Sequence, residues 1–162
     1  VFSLYGNHKF GFGLTETGLV FMFIGVFAAI VQGGVAHRLT DRMGEWPVMR
    51  AGLWLTAASL ILLGLANEVW QLFPVLALLA LGSGLTFPTI SALVSQRSPE
   101  AAQGGTLGVL ASAGGLARLI APICATALFQ AVGMSSPLII GGLLFVVAAL
   151  MAMSPLVRPV PA

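Results

Sequence analysis

Long apolar runs, separated by short stretches that hold almost all the charged residues, form the main pattern of this chain. Five runs are each long enough for a helix that crosses a bilayer, which needs about 20 apolar residues. Their approximate limits are 17–36, 47–66, 72–95, 104–131 and 137–157. Residues 1–5 are too few to span and are interpreted as the end of a truncated helix. The pattern predicts an all-α, polytopic transmembrane helix bundle with connecting loops at 37–46 and 96–103.

The composition agrees with this prediction and excludes a soluble globule. Of the 162 residues, 58% are hydrophobic and 7% are charged, whereas soluble domains contain about 25% charged residues. The mean hydropathy is +1.02. So few charges could not cover a soluble surface, but a protein embedded in lipid needs charges only at its ends.

Basic residues lie mainly on one side of the predicted spans. Those in or beside the loops at 37–46 and 96–103, or after the last span, are Arg38, Arg42, Arg50, Arg97 and Arg158. Only Lys9 lies on the other side. Because Lys and Arg concentrate in cytoplasmic loops, we expect a multi-pass protein of the cell (inner or plasma) membrane with a cytoplasmic C-terminus. The basic residues form no stripe of the kind that binds nucleic acid.

Arg118 is the one charged residue near the middle of a predicted span. It lies about 18 Å into a hydrocarbon core of roughly 30 Å. The five acidic residues all lie in loops or at span ends. Its partner is therefore an acid elsewhere in the protein, an anionic solute, or a carbonyl freed by Pro122. An intramembrane charge marks a functional site by default, and the alternative role is a structural clamp between helices.

Small residues predict close packing between these helices. One face of the first span carries Gly18, Gly25, Ala29 and Gly33, with Gln32 beside it as a possible ligand. The residues expected to kink or pack the later helices are Gly82, Gly84, Pro88, Gly114, Gly115 and Pro122. Small faces let helix backbones approach closely in lipid, and broken helices often line a transport pathway.

The sequence offers little for enzyme chemistry. His8 and His37 are assigned to loops, far from membrane depth, and Cys124 is the only cysteine. These residues do not form a cluster of metal ligands, and no glycine-rich phosphate loop with a lysine is present. We expect no enzyme activity, no metal and no cofactor.

Three segments resemble the major facilitator superfamily of transporters. Residues 39–44 (LTDRMG) are similar to the family's loop signature, 82–88 (GSGLTFP) to its tenth helix, and 98–122 to the start of its eleventh. His37 replaces the usual opening Gly of the signature, and Glu45 and Trp46 replace usual basic residues. The resemblance is strongest to the drug and tetracycline proton-antiporter branch. It implies the C-terminal six-helix half of such a fold, with a first helix that is truncated and an N-terminal six-helix half that is missing.

The resemblance also implies a function. We expect proton-coupled export of drug-like organic compounds by alternating access, with the lipid bilayer, a small organic solute, protons and the missing half as partners. The candidate substrate or coupling residues are Arg118, Gln32, Ser83 and Thr86, and Asp41, Arg42 and Gly44 form a candidate gating loop. Two alternatives stay open: a uniporter or importer of an anionic metabolite, and a membrane assembly subunit that does not transport.

Overall fold

The computed structural model describes residues 2–154, with the side chains of Phe2 and Leu4 left out, and this part of the chain is helical without strands. The helices are α1 (Phe2–Phe10), α2 (Leu14–Ile30), α3 (Ala36–Met43), α4 (Glu45–Leu65), α5 (Val69–Arg97), α6 (Gln103–Ala131) and α7 (Ser136–Met151). A π turn at Val31–Val35 joins α2 to α3, and a 3-10 turn at Glu100–Ala102 precedes α6. The predicted all-α fold class is confirmed.

Four helical segments are long and apolar enough to cross a membrane. They are Leu14–Met43, Glu45–Leu65, Val69–Arg97 and Glu100–Ala131. The shortest of them has 21 residues, or about 31 Å at 1.5 Å per residue. The helix Ser136–Met151 is apolar but shorter. The end of the expected fifth span, residues 155–157, and Arg158 lie outside the described residues.

Several helices run further than the apolar runs that predicted them, whereas α7 ends at Met151, before the expected 157. The expected loop at 37–46 is helical except for Gly44, which has a φ of 81° and separates α3 from α4. The Thr40 hydroxyl donates to the carbonyls of Ala36 and His37 within this helical segment. Helix α1 likewise continues past residue 5 to Phe10, where Gly11 follows with a φ of 68°. Both histidines therefore lie on helices, which corrects their assignment to loops.

Contacts near the helix ends fix how the bundle is arranged. At one end, the side chains of Trp46 and Arg97 meet where α4 begins and α5 ends. We call this the basic end, because Arg38, Arg42, Arg50 and Arg97 lie on helix segments near it. At the opposite end, the hydroxyl of Tyr5 donates to the carbonyl of Leu63 at 2.9 Å. Helix α4 lies between α5 and α7 and contacts both along its length.

Helices α4 and α5 approach each other through two matched pairs of residues. A Cβ added at Gly52 would lie 2.5 Å from the Thr86 Oγ1, and a Cβ added at Gly82 would lie 2.6 Å from the Thr56 Oγ1. The hydroxyls of Thr56 and Thr86 each donate at 2.8 Å to the glycine carbonyl four residues earlier on their own helix. Each helix thus contributes the same Gly-x-x-x-Thr pattern to the crossing, and only glycine fits at this separation.

The π turn brings α2 against α5. Its defining hydrogen bond runs from the Ala36 N–H to the carbonyl of Val31. The buried Val31 side chain occupies the space above Gly84, where an added Cβ would lie 2.8 Å from a Val31 methyl carbon. This contact belongs to a small core cluster whose buried members are Val31, Ala36, Val48 and Leu85.

Two surfaces of the bundle are left uncovered within the described residues. Helix α6 has no buried residue among its 29. On the small face of α2, an added Cβ at Gly18, Gly25 or Gly33 would meet no atom within 4 Å. The expectation that this face packs against other helices is therefore not met within residues 2–154, because α2 packs on α5 through its opposite face, which carries Thr17, Val20 and Val31.

Candidate functional site

Arg118 lies in a groove between α5 and α6. It is residue 16 of the 29 in α6, so it sits near the middle of that helix. The groove has a volume of about 580 Å³, within the range of roughly 300–1,000 Å³ typical of small-molecule sites. Helix α5 contributes Phe87, Ile90 and Ser91 to the lining, and Leu107, Leu110, Ala111, Ala113 and Gly114 line it from α6. A single cation thus borders a mostly apolar groove.

No acid of the described chain neutralises this cation. The five acids include Asp41, whose Oδ2 lies 3.4 Å from His37 Nε2, and none of those described is paired with Arg118. Pro122 has no N–H to offer the carbonyl of Arg118 four residues earlier. One turn later, the Thr126 hydroxyl donates to the carbonyl of Pro122 at 2.8 Å, so it does not reach the carbonyl of Arg118. Arg118 therefore presents both its guanidinium and a main-chain carbonyl that lacks the usual N–H donor four residues later.

The other candidate ligands are not gathered around Arg118. Gln32 is exposed in the π turn and borders a separate cavity of about 380 Å³ together with Pro88 and Thr89. Ser83 is half-buried, and its hydroxyl donates to the carbonyl of Leu79 at 2.8 Å. Thr86 is 3% exposed and is packed against α4, so it does not line a cavity. The four residues therefore do not form one site in this part of the chain.

The residues expected to gate the transporter lie at the basic end. Asp41 and Arg42 are on the last turn of α3, and Asp41 pairs with His37 one turn earlier. Gly44 adopts the left-handed φ that its place between two helices requires. Glu45 then accepts a hydrogen bond at 2.7 Å from Gln96 Nε2, which joins the start of α4 to the end of α5.

The residues expected to kink or pack the helices divide into three groups. Gly82 and Gly84 lie at close contacts with α4 and the π turn. Pro88 and Pro122 lie inside helices that continue without a break. An added Cβ at Gly114 or Gly115 would meet no atom within 4 Å among the described residues.

Two features of this architecture escaped sequence reasoning. Tyr5, in a segment treated as a mere stub, is fully buried and caps the end of α4. The Gly-x-x-x-Thr pairs were also overlooked, although the pattern occurs at 52–56 and again at 82–86. A search for glycine and a small polar residue at helical spacing in adjacent spans would have found them.

Comparison with known proteins identifies the family. The family match is to the Major Facilitator Superfamily and covers residues 1–162. The tetracycline resistance protein, class C, of Escherichia coli is 31% identical over 128 residues, which are 79% of this chain and 32% of that protein. Major facilitator superfamily domain-containing protein 10 of Mus musculus is 30% identical over 131 residues, which are 81% of this chain and 28% of that protein. The chain thus spans less than a third of the length of these curated relatives.

A solved structure shares the fold. The crystal structure of the human organic anion transporter MFSD10 (TETRAN) superposes with a TM-score of 0.87 at 24% identity. The match covers 93% of this chain and 35% of that one. The resemblance seen in the sequence and the helical membrane fold are both confirmed. The chain belongs to the Major Facilitator Superfamily, a family of membrane transporters.

Proposed function

We propose that this chain supplies the C-terminal half of a transporter that exports drug-like organic compounds in exchange for protons by alternating access. The observation that carries the proposal is the groove between α5 and α6, in which Arg118 is the only charge. An apolar wall with few polar groups suits amphipathic solutes. The matched relatives include several tetracycline resistance proteins. Proton coupling is proposed because the chain resembles the tetracycline proton-antiporter branch.

The uncovered surfaces of α2 and α6 support the proposal that the complete transporter has an N-terminal half. In relatives of this type the pathway closes between two six-helix halves. Within residues 2–154, helix α6 has no buried residue, and no atom packs against Gly18 or Gly25 on the small face of α2. We propose that the N-terminal half covers these surfaces in the complete transporter, and that the solute passes between the two halves.

A second substrate class is favoured by the charge of Arg118. A guanidinium without a carboxylate partner among the described residues can pair with a carboxylate or phosphate of the solute. The superposed human protein is an organic anion transporter. Transport of an organic anion is therefore the alternative proposal.

The position of Asp41, Arg42 and Gly44 at the basic end supports a gating role for them. The arginines at this end support an orientation in the membrane. Asp41, Arg42 and Gly44 lie where two transmembrane segments meet, so contacts made there in one conformation would bias the alternating-access equilibrium. The arginines at this end lead us to propose that it faces the cytoplasm of a cell membrane.

Transport by the complete protein in proteoliposomes tests these proposals. We expect Arg118→Ala to abolish transport at normal expression, and Arg118→Lys to stay partly active because it keeps the charge but loses the bidentate geometry. Arg38→Gln, an exposed arginine outside the groove, serves as the control. Full activity of the Ala variant would remove Arg118 from the mechanism, and loss of expression would support the clamp role.

The same vesicles distinguish the coupling and the substrate class. Proton-coupled export requires that an imposed pH gradient drives accumulation of a labelled tetracycline-like compound. Transport that ignores the gradient would contradict proton coupling. Uptake restricted to anionic solutes, and lost in Arg118→Ala, would favour the organic-anion alternative. Absence of transport for every solute class would favour the assembly subunit.

A further inference from the structure

A second groove opens at the basic end and adjoins the groove that contains Arg118, with Ile90 in the lining of both. It lies between the start of α4, the end of α5 and the start of α6, and its volume is about 390 Å³. Trp46, Arg97 and Thr106 line its mouth, and Met49 and Leu93 lie deeper. The transport proposal makes no use of this groove.

The chemistry of this groove changes along its depth. Arg97 is the last residue of α5 and Trp46 is the second residue of α4, so the mouth coincides with the helix ends. Ile90 lies seven residues before Arg97 on the same helix, which is about 10 Å deeper. The side chains that line this depth are Met49, Ile90, Leu93 and Val94, and all are apolar. A ligand that fits would carry a polar head and an apolar tail.

Arg97 gives the mouth a positive charge that the described residues do not neutralise. Its guanidinium carbon lies 5.4 Å from the centre of the Trp46 ring. This contact uses the face of the aromatic ring and leaves guanidinium N–H groups for an anion. Three acids lie near this end. Glu45 accepts a hydrogen bond from Gln96, Asp41 lies beside His37, and Glu100 in the 3-10 turn forms no ion pair with Arg97 among the described residues. Within residues 2–154 no carboxylate pairs with Arg97.

We propose that this groove binds one anionic glycerophospholipid, with its phosphate at Arg97 and an acyl chain along the apolar floor. Trp prefers the membrane interface, which places the mouth at headgroup level. Basic pockets between transmembrane helices bind anionic headgroups. A zwitterionic lipid would bring its own cation to the same mouth and bind more weakly.

Lipid binding to the complete protein in detergent tests this proposal. Phosphatidylglycerol is titrated against phosphatidylcholine, and bound lipid is counted by native mass spectrometry. We expect tighter binding of phosphatidylglycerol, and about fivefold weaker binding of it after Arg97→Gln, equivalent to about 1 kcal/mol for one basic residue. Arg38→Gln, which removes an exposed arginine away from the groove, should leave the affinity unchanged.

A second variant tests the apolar floor without changing charge. Val94 lines this groove, is half-buried and lies outside the buried core clusters. We expect Val94→Phe to narrow the floor and weaken phosphatidylglycerol binding severalfold, while inorganic phosphate fails to compete. Equal affinity for the two lipids would overturn the proposal, as would equal effects of the two arginine variants. Competition by inorganic phosphate would also overturn it, because the site would then recognise phosphate alone. No effect of either Arg97→Gln or Val94→Phe would overturn it as well, because lipid would then not bind in this groove.

Discussion

At the scale of single residues, the space beside a glycine decides whether that position tolerates a side chain. Gly141 and Gly142 are neighbours on α7 and face different surroundings. A Cβ added at Gly141 would meet only a Leu60 methyl carbon, at 3.8 Å. A Cβ added at Gly142 would lie 2.6 Å from Ile61 Cγ1 and 3.1 Å from the carbonyl oxygen of Ala57. The second site is closed because the backbone of α4 cannot move aside.

This contrast predicts opposite effects of the same substitution. Gly142→Ala should destabilise the complete protein by about 1–3 kcal/mol, the usual cost of overpacking a helix contact. Gly141→Ala should be neutral or stabilising, because alanine forms helix better than glycine by up to about 1 kcal/mol. Thermal unfolding in detergent measures both changes. A melting temperature for Gly142→Ala equal to or above that of Gly141→Ala would contradict the close contact of α7 with α4.

At the scale of elements, α1 is attached to the end of α4 by one buried side chain. The Tyr5 hydroxyl donates to the carbonyls of Leu63 and Ala66, at 2.9 and 3.3 Å. These carbonyls belong to the helix end, where no further turn supplies N–H donors. Lys9 Nζ donates to the Tyr5 oxygen at 3.0 Å. The hydroxyl therefore caps α4 and also ties α1 to it.

Removal of the Tyr5 hydroxyl tests this connection. Tyr5→Phe keeps the ring but leaves buried carbonyls without their donor, which should cost about 1–3 kcal/mol. Lys9→Met leaves the donation to Leu63 and Ala66 in place and should cost less. Melting temperatures of the two variants of the complete protein measure the difference. The capping role would be disproved by an unchanged Tyr5→Phe protein or by a Lys9→Met protein that is equally destabilised.

The sequence predicted the all-α class and the order of the helices better than their ends or contacts. Of the five expected spans, four are long enough to cross a membrane, and the helix at the fifth, Ser136–Met151, is shorter. Apolar runs indicate which residues suit lipid, but a helix can continue past the end of such a run, as α3 does through Thr40 and Asp41. The π turn could not be foreseen, because it depends on how Val31 seats over Gly84 on another helix. For the site, the position of Arg118 near the middle of its helix followed from counting residues. The burial of Thr86 did not, since it depends on which face of α5 meets α4.

At the scale of the whole molecule, the exposed surface of α2 is of two kinds. Large apolar side chains, typical of contact with lipid tails, cover one part and include Leu19, Val26 and Ile30. The adjacent part carries Gly18, Gly25 and Ala29, which are open in the described chain. Small residues let another helix approach closely, so this second part fits the proposed contact with the N-terminal half.

Two neighbouring substitutions of equal size separate these surfaces. Gly25→Trp should abolish transport by the complete protein, because the large ring would hold the two halves apart. Val26→Trp lies at the same depth on the lipid-type surface and should keep transport, since lipid tails can yield to the ring. Proteoliposome transport, with expression and melting temperature as controls, measures both. Full activity of Gly25→Trp, or equal loss in both variants, would argue against this assignment of the two surfaces.

The crossing of α4 and α5 also constrains how this protein can evolve. Gly52 and Gly82 each face the threonine of the other helix, so enlarging either glycine pushes against a hydroxyl and a backbone together. Replacing one threonine by a smaller residue relieves only one of the two contacts. Positions 52 and 82 should therefore stay glycine across homologous genes, even where a smaller residue replaces the threonine at 86 or 56.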